Sequence, residues 1–132
     1  MPLVSRRDVL AIVAVVDVAL NAKSRPVSAK TLASRHKLPP RHLEPVLQAL
    51  VREGILKGVR GPHGGYAMAR DPKRVTAEDI LRAAGSVDDE IPLPVSNLVN
   101  SVVRPALVDA EHSFSAALRR ISVEDLMRAA EK

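Results

Sequence analysis

The sequence predicts a mainly α-helical fold with one small β-hairpin, and three observations predict it. Residues 5–53 carry three blocks of apolar residues at helical spacing, separated by proline-bearing turns. Residues 54–70, GILKGVRGPHGGYAMAR, read as a short strand, a glycine-rich tip and a returning strand directly behind the third block. Beyond them, from about residue 96 to 121, runs an apolar stripe longer than a domain already closed by helices needs for its own core.

The elements follow in order. Ser5 caps a first helix to about Asn21, with Val9, Ile12, Val13, Val16, Ala19 and Leu20 as its buried stripe. Lys23-Ser24-Arg25-Pro26 is a turn. Ser28 caps a shorter helix with Leu32 and Ala33 inward and Lys30, Arg35, His36 and Lys37 outward. Leu38-Pro39-Pro40 breaks the chain before a third helix, from about Arg41 to Glu53, whose apolar face is Leu43, Val46, Leu47 and Leu50. Pro45 predicts a kink near its start, and Gly54 a C-terminal stop. Two short helices joined by a tight turn and followed by a hairpin make a winged helix-turn-helix.

Thr76 and Asp79 cap a fourth helix, Ala77 to about Ala84, with Ile80, Leu81 and Ala84 inward. An acidic, proline-punctuated loop follows, then a long helix from about Ser96 to Ile121, which Pro105 kinks or restarts. Ser122 and Asp125 cap a last short helix, with Leu126 and Ala129 packing back. The implied division is a DNA-binding domain over 1–84, a linker over 85–95, and a dimerisation helix with the short C-terminal helix over 96–132.

Charge is divided along the chain. Residues 1–75 hold 14 Lys and Arg against 5 Asp and Glu, a net of +9, whereas residues 76–132 hold 6 against 10, a net of −4. A polycationic front half suits contact with phosphates. Absence of cysteine excludes disulfides, thiolate metal sites and a cysteine nucleophile. No apolar run approaches the roughly 20 residues that span a bilayer, and Asp17 interrupts the run from Val9 to Leu20 without a cleavable ending. The expectation is a cytoplasmic protein. His36, His42, His63 and His112 show no metal-ligand spacing, and no nucleophile motif or phosphate-cradling loop points to an enzyme. No metal, cofactor or membrane contact is expected.

The expected partner is double-stranded DNA. Arg41, His42 and Glu44, at the head of the third helix, stand where base edges are read: arginine pairs with guanine and glutamate accepts from the cytosine amino group. Arg60, Gly61 and His63 ride on the hairpin tip, whose arginine suits the negative potential of a minor groove. Ser28 and Lys37 complete the DNA-facing set. The alternative for the hairpin alone is a surface cover over the core edge.

The run LEPVLQALVREGILKGVRGPHGGYAMARDP, with ALNAKSRPVSAKTLASRHKLPPRHLE before it, resembles the Rrf2 family of bacterial transcription regulators, whose members include the iron–sulfur regulator IscR and the nitric-oxide sensor NsrR. The wing Arg60-Gly61-Pro62-His63-Gly64-Gly65-Tyr66 is the most specific part, and the resemblance is strong over residues 3–84. It implies a homodimeric winged-helix protein, usually a repressor, on a palindromic operator. It places Arg41, His42 and Glu44 in the major groove and Arg60 and Gly61 in the minor groove. Two departures stand out. Cluster-binding members carry three cysteines after the fourth helix, where this chain has residues 85–94 and no cysteine. The head of the third helix also lacks their serine-tyrosine pair, so a different operator sequence is expected.

The long helix is expected to pair with its copy in a second subunit through Val103, Leu107, Phe114 and Leu118, the alternative being that it folds back on its own domain. The segment from Val87 to Pro94 occupies the family's sensor position. Ile91, Leu93 and Val95 could line a pocket for an uncharged or cationic small-molecule effector, or Asp88-Asp89-Glu90 could simply solvate a linker. The competing function from another class is a winged-helix protein-interaction scaffold that dimerises without reading DNA.

Overall fold

Three Ser/Thr-x-x-Asp capping boxes set the starts of three helices. In each, the hydroxyl accepts from the backbone N–H three residues on, and the aspartate accepts from the capping residue's own N–H: Ser5 with Asp8, Thr76 with Asp79, Ser122 with Asp125. The computed structural model describes residues 5–85 and 96–131. The expected effector pocket and acidic run lie outside them.

The order is α1 (Arg6–Asn21), α2 (Ala29–Arg35), α3 (Pro40–Arg52), β1 (Leu56–Val59), β2 (Gly65–Met68), a 3-10 turn (Pro72–Arg74), α4 (Ala77–Ala84), a π-helical turn (Leu98–Val103), α5 (Arg104–Arg119) and α6 (Val123–Ala130). β1 and β2 pair antiparallel, Leu56 opposite Met68 and Val59 opposite Gly65. The predicted class, mainly α with a two-stranded wing, is the observed one.

The core is aliphatic. Leu32, Leu43, Leu47, Leu50 and Ile80 are fully buried, each contributing about 1.5–3 kcal/mol. Of the stripe predicted for α1, only Ala19 is buried. Ala11, Ala14, Val15 and Val18 are buried, while Val9 is 49% exposed and Ile12, Val13, Val16 and Leu20 are half-buried. Apolar residues surround most of this helix, so periodicity alone cannot select a face. Packing selects the one with small Ala11 and Ala14, which let α3, α4 and α6 approach closely.

Pro105 falls just after the π-helical turn, at the start of α5. The widened turn accommodates a residue that cannot donate to the preceding helix, so the helix is restarted rather than broken. α6 returns to the front of the molecule. Ala77 N–H donates to the Ile121 carbonyl at 2.8 Å and Val123 N–H to the Val75 carbonyl at 2.9 Å. Val123 is fully buried and Met127 packs on the core, whereas Ala129 stays exposed. The helix assigned to the dimerisation segment thus lies against α1 and the 3-10 turn.

Candidate nucleic-acid interface

The helix-turn-helix elbow is closed by backbone hydrogen bonds. Lys37 N–H donates to the Ser34 carbonyl (3.3 Å) and Leu38 N–H to that of Ala33 (2.8 Å), with Lys37 left-handed at φ 54° between them. A lysine there costs about 1 kcal/mol relative to glycine. Pro39 caps α3 and Pro40 starts it, where the missing N–H is lost at no expense. The same closure ends α3: Ile55 N–H reaches the Leu50 carbonyl at 2.9 Å and Gly54 takes φ 77°.

Arg41, His42 and Glu44 all lie exposed in the first turns of α3. The helix runs unbroken through Pro45, which is exposed. Gln48, one turn beyond Glu44, is exposed on the same side. Sequence reasoning missed Gln48, although its i+4 spacing from Glu44 was the available signal. Ser28 caps α2, its hydroxyl accepting from Thr31 N–H at 3.0 Å, and is half-buried.

The wing needs its glycines for separate reasons. Gly61 has φ 120°, open to glycine alone. A Cβ on Gly64 would lie 2.2 Å from the Val59 carbonyl oxygen, and one on Gly65 2.4 Å from that of Val27. The second clash arises because Val27 pairs with Tyr66: the Val27 N–H donates to the Tyr66 carbonyl at 2.9 Å, and the Val27 carbonyl accepts from the Tyr66 N–H at 2.7 Å. That bridge seats the base of the wing beside Ser28, the cap of α2. Arg60, Gly61 and His63 are exposed at the tip.

Ion pairs occur in both halves of the chain. In the back half, Arg82 and Arg119 pair with Glu78, and Arg128 with Glu124 and Asp125. Arg41, Arg60, Lys37 and Lys57 have no such partner among the described residues. These four cations of the front half stand free of carboxylates. Arg70 lies 3.9 Å from Asp79 and donates to the Arg74 carbonyl. Arg35 and His36 are exposed, as expected, and also reach Asp17 at 2.9 and 2.6 Å. Sequence gave no sign of that contact, because its members are 18 and 19 residues apart.

The four residues assigned to dimerisation divide into two pairs. Leu107 is 60% and Val103 40% exposed, whereas Phe114 and Leu118 are half-buried, lining a groove with Leu81 of α4. Leu98 and Val102 extend the uncovered stripe.

A helix-turn-helix with unpaired cations at its second helix, braced by a glycine-dependent wing, defines a winged-helix DNA-binding transcription regulator. The chain belongs to the Rrf2 family: residues 4–129 match that family, described as an iron-dependent transcriptional regulator. It is 36% identical over 125 residues to the HTH-type transcriptional regulator BadM of Rhodopseudomonas palustris, covering 87% of this chain and 74% of BadM. It is 32% identical over 81 residues to IscR of Cronobacter sakazakii, covering 61% of this chain and 48% of that one. The chain thus spans about half the length of several relatives it matches. The solved structure of T. potens IscR superposes with a TM-score of 0.76 at 28% identity, over 96% of this chain and 87% of that one. CymR of B. subtilis, at 24% identity and a TM-score of 0.72 over 96% of each chain, shares the fold.

These relatives are regulators, not enzymes. No helix among the described residues is long and apolar enough to cross a membrane. An iron–sulfur cluster does not fit this chain: it has no cysteine to supply thiolates. Among the described residues, no group of three or more His, Cys, Asp or Glu could hold a metal ion.

Proposed function

We propose that the protein is a homodimeric, cluster-free repressor that binds a palindromic operator. The observation that carries this reading is the exposed cationic surface formed by Lys37, Arg41 and Arg60 around the closed elbow and the wing tip, none of them paired with a carboxylate among the described residues. Arg41 and Glu44 enter the major groove, with His42 and Gln48 beside them, and discriminate bases by their donor and acceptor patterns. Arg60 and Gly61 place the wing in the adjacent minor groove, and Ser28, Lys37 and His63 meet the backbone. The uncovered stripe of Leu98, Val102, Val103 and Leu107 pairs with its copy, setting two recognition helices about one DNA turn apart. A dimer seated across a promoter excludes polymerase, which suffices for repression.

The test uses an operator selected from a random duplex library, with single-base variants of it. Arg60→Ala lowers affinity by about 1–3 kcal/mol across all variants. Arg41→Ala relaxes preference at one base pair per half-site. Wild-type affinity in Arg60→Ala at moderate salt would remove the wing from the interface.

A further inference from the structure

Asp17 is the one buried charged residue among the described residues, and DNA recognition by α3 and the wing gives it no role. Its side chain is 3% exposed and receives Arg35 Nη1 at 2.9 Å, His36 Nε2 at 2.6 Å and Asn21 Nδ2 at 3.2 Å. A carboxylate is kept in such a place only when paired. Its two charged or ionisable partners are the last residue and the C-cap of α2, immediately before the left-handed Lys37.

Arg35 also belongs to the outer face of α2, where it borders a shallow groove with Lys30, Thr31 and Ser34. In a helix-turn-helix this first helix crosses the DNA backbone. A free arginine there adds a phosphate contact of equal worth on every sequence, so it strengthens non-specific and specific binding alike. The two partners lie at the surface, their side chains 37% and 33% exposed, and the bond to Asp17 orients them inward.

The geometry points to Asp17 as a specificity-determining residue of the DNA-binding function. It withdraws Arg35 and His36 from backbone phosphates and fixes the elbow between α2 and α3, leaving discrimination to α3 and the wing. Asp17 acts through its partners and touches no DNA, so it is a positioning residue. This inference rests on the DNA-binding reading above.

The test measures affinity of the full chain for random duplex and for the selected operator as salt is varied. The proteins are wild type, Asp17→Asn, Arg35→Ala and the double variant. Arg35→Ala alone leaves the random-duplex salt slope unchanged. Asp17→Asn frees Arg35, so it steepens that slope by about one, tightens random-duplex binding several-fold and lowers the operator-to-random ratio. Adding Arg35→Ala to Asp17→Asn restores the slope. A purely structural role would weaken both affinities together, and that result overturns the inference. So does an Arg35→Ala slope shallower by about one, which would mean Arg35 already touches phosphate; this arm decides even where Asp17→Asn fails to fold. Wild type without salt-dependent DNA binding overturns the inference together with the reading beneath it. Wild-type binding with an unchanged slope in Asp17→Asn overturns the inference alone.

Discussion

Replacing Gly65 by alanine tests how the wing is held. The added Cβ would stand 2.4 Å from the Val27 carbonyl oxygen, 2.5 Å from its carbon and 2.7 Å from the Ser28 nitrogen. All three are backbone atoms, so no side chain can swing aside. The strand must retreat and release the two Val27–Tyr66 hydrogen bonds, of 2.9 and 2.7 Å. Two such bonds are worth about 1 kcal/mol each, and displaced packing brings the loss to about 2–4 kcal/mol. For a chain of 132 residues that lowers the melting midpoint by roughly 10 °C. Gly58→Ala is the internal control: it lies in the same hairpin with no atom within 4 Å of its added Cβ, and costs less than about 0.5 kcal/mol. Thermal melts followed by far-ultraviolet circular dichroism compare the two. If Gly65→Ala melted within about 2 °C of Gly58→Ala, the bridge would not be what secures the wing.

Two further outcomes follow from the elbow and the stripe. Lys37→Gly relieves the left-handed strain and raises stability by about 0.5–1 kcal/mol, while the lost cation flattens the DNA salt slope by about one; urea titration and salt-dependent binding read the opposing effects, and a less stable variant refutes the strain argument. Leu107→Asp yields a folded monomer by light scattering, because a charge at this 60% exposed position harms only a subunit interface. It is a cleaner probe than Phe114, which is half-buried and lines a groove with Leu81 of its own α4; an intact Leu107→Asp dimer would move the interface elsewhere.

What the sequence disclosed was local chemistry. Ser5 alone, and Thr76 and Ser122 with their aspartates, announced helix starts, and the run of glycines from Gly61 to Gly65 announced a wing, because each signal lies within a few residues of its effect. The candidate interface residues could be placed on α3 and the tip for the same reason. What it hid was tertiary. The face of α1 depended on which neighbours could approach Ala11 and Ala14, and an almost wholly apolar helix carries no period to reveal that. Asp17 looked like an interruption of an apolar run until the fold brought Arg35 and His36 to it. Gly65 read as a turn former, although its requirement comes from Val27, far back in the chain. Phe114 and Leu118 had the spacing of an interface stripe, yet part of that stripe covers α4.

The clasp between Val75 and Val123 bears on the order in which the molecule can mature. α1 is made well before α6, yet they share one core. While the ribosome is still extending the chain, the winged portion has an open flank beside Val75 and α1, with apolar surface that nothing upstream can cover. Closing it brings together segments more than 100 residues apart, the kind of distant pairing that slows folding and leaves sticky intermediates exposed. The DNA-reading half therefore acquires its finished core only after α5, with its own uncovered stripe, has also been synthesised, so that completing the one presents the other.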